Sequence, residues 1–126
     1  MKSQFRSRQK NVVGQQFIAL YMVPAAAMAQ MGNSTPDQMK AGMDEWSKWG
    51  KMHEKAIVDM GAPLGKTKCV TTGGASDAKN EIGGYSIVQG DSLDAIANVF
   101  TGHPHLKMAP GAWIEITEFM PMPGIM

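Results

Sequence analysis

Apolar and polar positions alternate with two different periods along this chain, and the switches between them predict the elements. The run "QFIALYMV" at 16–23 is short, rich in strand formers and stopped by Pro24, so it predicts a first strand. The segment 24–34 predicts a long connection in which Ala25–Met31 forms a short helical turn ended by Gly32-Asn33. A helix signal follows. Thr35 can cap, Pro36 suits the first helical position, and Gln38 completes a capping box. Met39, Met43, Trp46, Gly50, His53, Ile57 and Met60 then recur at steps of three and four, one stripe of a helix expected to stop at Gly61, before Pro63.

The period of two returns in "LGKTKCVTT" (64–72) and "IGGYSIVQ" (82–89). The polar stretch 73–81 between them predicts the long tip of an antiparallel hairpin. Asp91 or Ser92 can cap a second helix whose buried stripe is Leu93, Ile96, Ala97 and Phe100, with Gly102 as its left-handed stop and Pro104 beyond. The last strand, 112–120, alternates. Trp113, Glu115, Thr117 and Phe119 share one face; Ile114, Ile116, Glu118 and Met120 share the other, which packs under the helices at least through Ile116.

The order β-α-β-β-α-β predicts an α+β, ferredoxin-like fold: a four-stranded antiparallel sheet with two helices on one face. Its other face is expected to carry Phe17, Ala19, Tyr21 and Val23 with Trp113, Thr117 and Phe119. That is a large apolar surface for a lone subunit, and a two-fold homodimer through this open face would cover it and leave a chamber for a small molecule.

Length and charge narrow the classes. A chain of 126 residues fits one domain, here 15–122, with a basic extension at 1–14 and a tail at 123–126. Twelve basic and 11 acidic residues give net +1, which gives nucleic acid no electrostatic footing as an obligatory partner. The basic start, apolar run and Ala27-Met28-Ala29 resemble a signal peptide. Gln15, Gln16 and Pro24 interrupt that pattern, and 17–23 is wanted as a strand. No apolar run is long enough to span a membrane, and a cytoplasmic protein is expected. The lone Cys69 excludes an internal disulfide and fits a reducing compartment.

Candidate chemistry is sparse. His103 and His105 stand in "GHPH", where a catalytic role competes with a structural one: an imidazole bonding the last carbonyls of the preceding helix, favoured as a cation by its dipole. Glu115, between Trp113 and Thr117, could be a partly desolvated carboxylate. The three form the candidate catalytic set. Tyr21, Trp46, His53, Asp77, Tyr85 and Trp113 are candidate ligand-binding residues. The H-x-H spacing lacks further ligands, so no metal is expected, and no cofactor-binding loop is present.

From "SDAKNEIGGYSIVQGDSLDAIANVFTGHPHL" through "WIEITEF" the chain resembles the YCII-related family, particularly its DGPF branch. Gly83-Gly84-Tyr85, the helix start Asp91-Ser92-Leu93-Asp94 and Gly102-His103-Pro104 carry the likeness, which spans about 16–121. The chain departs from the branch at Thr72-Gly73-Gly74-Ala75, where relatives have Asp-Gly-Pro-Phe; the acid and lysine after it are Asp77 and Lys79. The resemblance implies a dimeric α+β barrel and a small-molecule enzyme using acid–base chemistry. A non-catalytic small-molecule-binding or dimerisation module of the same fold is the alternative.

Overall fold

The computed structural model describes residues 15–31 and 35–121; the basic extension and the tail expected from the sequence lie outside these. The elements are β1 (Gln15–Met22), α1 (Ala25–Met31), α2 (Pro36–Met52), β2 (Ile57–Pro63), β3 (Thr67–Thr71), β4 (Gly74–Ala78), β5 (Ile82–Gly90), α3 (Leu93–Val99) and β6 (Trp113–Glu118). Short 3-10 turns at Glu54–Ala56 and Pro104–Lys107 join them. The main sheet runs β2-β5-β1-β6, with each neighbouring pair antiparallel. This is the ferredoxin-like α+β plan, with helices packed on one face.

Several local signals act as expected. Thr35 Oγ1 accepts from the Gln38 N–H while the Gln38 side chain accepts from the Thr35 N–H, closing the capping box. Ser92 caps α3 by accepting from Ala95 N–H. Gly102 has φ +79, the left-handed stop expected there.

Three expectations are corrected. First, α2 ends at Met52, and Ile57–Pro63 is a strand that pairs with β5. The apolar stripe of a helix and a bulged apolar edge strand look alike over seven residues, and β-branched Ile57 and Val58 favour the strand. Gly61 then serves that strand and not a helix end. Its φ is +75, and a Cβ there would lie 1.8 Å from the Tyr85 carbonyl oxygen.

Second, 67–71 stands outside the main sheet. It pairs with β4, inside the stretch expected to be a polar tip, as a separate two-stranded ribbon. Lysines and threonines with little apolar content cannot compete with 57–63 for the place beside β5.

Third, the faces of β1 are reversed. Phe17, Ala19, Tyr21 and Val23 are all buried inside the subunit, none more than 3% exposed. They lie opposite Val88, Ser86 and Gly84 on β5 and Glu118, Ile116 and Ile114 on β6. Every residue from Phe17 to Val23 is apolar, so a period of two cannot choose a face. Neighbour volume chooses instead: Ala19, Gly84 and Ser86 leave room for Trp49, Ile96 and Phe100 to descend from α2 and α3. The open face carries Ile18, Leu20 and Met22 with Tyr85, Ile87, Trp113 and Thr117, most of them half-buried.

Candidate functional site

The helix side of the sheet holds a cluster of rings. Tyr21 comes from β1, Trp46 and Trp49 from α2, His53 from the C-cap of α2, Phe100 from the end of α3, and His103 and His105 from the turn after it. His103 is its centre and is fully buried. Its ring lies 4.4 Å from Trp49, 4.6 Å from Trp46, 5.2 Å from Tyr21 and 5.6 Å from Phe100, between centroids. His53 lies against Trp49 at 5.0 Å.

Hydrogen bonds fix how these groups can act. His103 Nδ1 accepts from the backbone N–H of His105 at 2.9 Å. The imidazole therefore caps the following 3-10 turn, where the sequence suggested it would bond the carbonyls of the preceding helix. A ring nitrogen that accepts has no proton, so the neutral ring is protonated at Nε2. Nε2–H is buried and has no hydrogen-bond partner. Burial, reinforced by His105 and His53 nearby, pushes the His103 pKa down to about 3. The ring is neutral at pH 7, which corrects the cationic cap expected from the dipole.

His105, 4% exposed, bonds the Met22 carbonyl through Nε2 at 2.9 Å. Burial lowers its pKa as well, and the Met22 and Trp113 carbonyls offset only part of that. Tyr21 completes a chain. Its hydroxyl is 2.8 Å from Ser86 Oγ, which lies 2.7 Å from the Met60 carbonyl. Ser86 has one hydrogen and the carbonyl can only accept, so Tyr21 donates to Ser86 and Ser86 to Met60. Burial raises the Tyr21 pKa to about 12, the Ser86 bond opposing it.

The candidate residues thus divide. Tyr21, Trp46, His53, His103 and His105 come together under α2. Glu115, Trp113 and Tyr85 lie across the sheet on the open face. There Glu115 is exposed and accepts from Trp113 Nε1–H at 2.9 Å, so the desolvated carboxylate expected at 115 is not what this subunit builds. Asp77 belongs to neither group; it pairs with Lys68 on the exposed ribbon. Trp49, Ser86 and Phe100 are in the cluster and were not singled out. Trp49 lies three residues beyond Trp46, a spacing that could have flagged it had the helix been ended at 52. Ser86 carries no sequence signal beyond its place in an alternating strand. Met28 packs beside Val23, Ala27 and Ala109. Among the described residues, no three His, Cys, Asp or Glu side chains converge as a metal site, and no helix is long and apolar enough to cross a membrane.

No family model and no curated protein matches the chain. Among solved structures it is similar to the 5-chloro-2-hydroxyhydroquinone dehydrochlorinase of Burkholderia phenoliruptrix AC1100, solved in complex with 2,5-dihydroxybenzoquinone. The identity is 18%, covering 79% of this chain and 89% of that one, with a TM-score of 0.40.

Proposed function

We propose that this protein binds a small organic molecule in the imidazole–aromatic cluster under α2, with His103 as a neutral hydrogen-bond donor that polarises it. The observation that carries this reading is the unpaired, buried Nε2–H of His103. A buried donor without an acceptor costs about 1–3 kcal/mol, and a ligand oxygen placed there would recover it. With a pKa near 3 this ring is a poor base at neutral pH. Its chemistry is stabilisation of charge growing on an oxygen, as a neutral imidazole can provide in a dry site. On this reading His103 is a fixed neutral donor, in place of the acid–base role implied by the YCII-related resemblance. His105 then sets the tautomer through its backbone N–H.

The homodimer belongs to the same proposal, with a corrected surface. Ile18, Leu20, Met22, Tyr85, Ile87 and Trp113 form an apolar patch that a second copy would cover, placing Trp113 and Glu115 of each subunit between the two sheets. A non-catalytic binding module is the second reading. It is favoured by the separation of Glu115 from both histidines across the sheet.

A fragment screen read by crystallography tests the site: ligand beside His103 and Trp46 is expected, and ligands that gather only on the open face contradict it. Sedimentation at micromolar concentration tests the pairing. The wild type should be a dimer and Leu20→Glu a folded monomer; a monomeric wild type removes the homodimer.

A further inference from the structure

His103 has a companion. Trp49, near the C-terminal end of α2 and 6% exposed, also lacks a partner for its indole Nε1–H. The two rings are in contact, centroids 4.4 Å apart and planes at 63°. Beside them Tyr21, Ser86 and His105 make hydrogen bonds through their side chains. Two unmet donors in one ring contact therefore stand apart from their surroundings, and both are of the same kind.

Resting on the small-molecule reading above, we infer that the ligand is a small, planar, uncharged molecule carrying a carbonyl oxygen, which accepts from His103 Nε2–H and Trp49 Nε1–H together. The donor set selects an acceptor. An indole can only donate, and the one accepting nitrogen of His103 is already committed to His105. The absence of charge follows from the rings around His103, which are Tyr21, Trp46, Trp49 and Phe100. Desolvating an anion among uncharged groups costs far more than desolvating a carbonyl. A carbonyl has two lone pairs for two donors. Planarity follows from the same aromatic walls, on which flat rings stack or meet edge to face.

His103 is enclosed in this structure, so the ligand needs a way in. Of the four rings against His103, Trp46 alone is partly exposed. Its indole N–H is held by Met108 Sδ at 3.2 Å, a weak acceptor. Trp46 is thus the ring that can turn outward, and the ligand takes the volume its indole vacates.

The test uses full-length protein labelled with 15N in its histidine and tryptophan side chains, titrated with acetophenone, ethylbenzene and benzoate. Acetophenone should shift both the His103 Nε2–H and the Trp49 Nε1–H resonances. Ethylbenzene should bind at least about tenfold more weakly, the worth of one hydrogen bond of ~1.4 kcal/mol, and benzoate at least about tenfold more weakly because its charge must be desolvated. Trp49→Phe should weaken acetophenone by about the same factor, and Trp46→Ala should speed its entry. If ethylbenzene binds as tightly and shifts the same two resonances, the cluster is a ligand site and the carbonyl class is wrong. Tighter benzoate binding overturns the requirement for an uncharged ligand. If no probe moves either resonance, in the wild type or in Trp46→Ala, the two donors serve only water or a ring face and the site itself is refuted.

Discussion

Replacing Ser86 by alanine tests the buried chain Tyr21 Oη–H to Ser86 Oγ–H to Met60 carbonyl. Tyr21 is 3% exposed and Ser86 1% exposed, so water cannot substitute at Ser86. Ser86→Ala leaves the Tyr21 hydroxyl without its acceptor and the Met60 carbonyl without its donor. A fully buried orphan costs about 1–3 kcal/mol; Met60 is partly exposed and its carbonyl can rehydrate, so the whole loss is about 2–3 kcal/mol. Tyr21→Phe removes only one bond, because Ser86 still donates to Met60, and should cost about 1 kcal/mol. In the Ser86→Ala background the same change deletes an orphan and should be neutral or stabilising. Urea melts of the two single variants and the double variant measure this. A Tyr21→Phe cost equal in both backgrounds would show that the two hydroxyls are not coupled.

Other outcomes follow from the same structure. Gly61→Ala should cost about 3 kcal/mol or more, since its Cβ meets the Tyr85 carbonyl oxygen at 1.8 Å and its φ is +75; a loss under about 1 kcal/mol in a denaturant melt contradicts the β2 geometry. His103 has its folded pKa depressed to about 3 from an ordinary 6.5, so its contribution is fully present above pH 6.5. Stability should fall as pH drops from 6.5 towards 3, by up to about 1.4 kcal/mol per pH unit. His103→Asn, which keeps an acceptor for His105 N–H, should flatten that slope; an unchanged slope refutes the assignment. Replacing the β3–β4 ribbon by a short turn should change stability by no more than about 1 kcal/mol, because its two strands pair only with each other; a loss above about 2 kcal/mol would show that the ribbon supports the core.

Much of the fold could be read from the chain because local signals agreed with each other. The capping box at Thr35, Pro36 and Gln38, the Ser92 cap, the Gly102 stop and the alternation of 113–118 each name one structure. The failures lie where two structures share one pattern. Residues 57–63 satisfy a helical stripe and a bulged strand equally, and only the vacancy beside β5 decides. A strand apolar on both sides, such as β1, gives no face, and the small residues opposite it decide. The site was legible in part: the three histidines were conspicuous by rarity, and Tyr21 and Trp46 by size. The placing of Tyr21 with the histidines, on the side of the sheet away from Glu115, was not, because it depends on which face β1 turns to the helices. Trp49 was hidden by a helix read eight residues too long.

The proposed site requires His103 to be a buried, uncharged imidazole offering Nε2–H. Long-range 1H–15N spectra of histidine-labelled protein measure its protonation and tautomer directly. The ring should be neutral and protonated at Nε2 from pH 8 down to about pH 4. A histidinium at pH 6, or a neutral ring protonated at Nδ1, would contradict it.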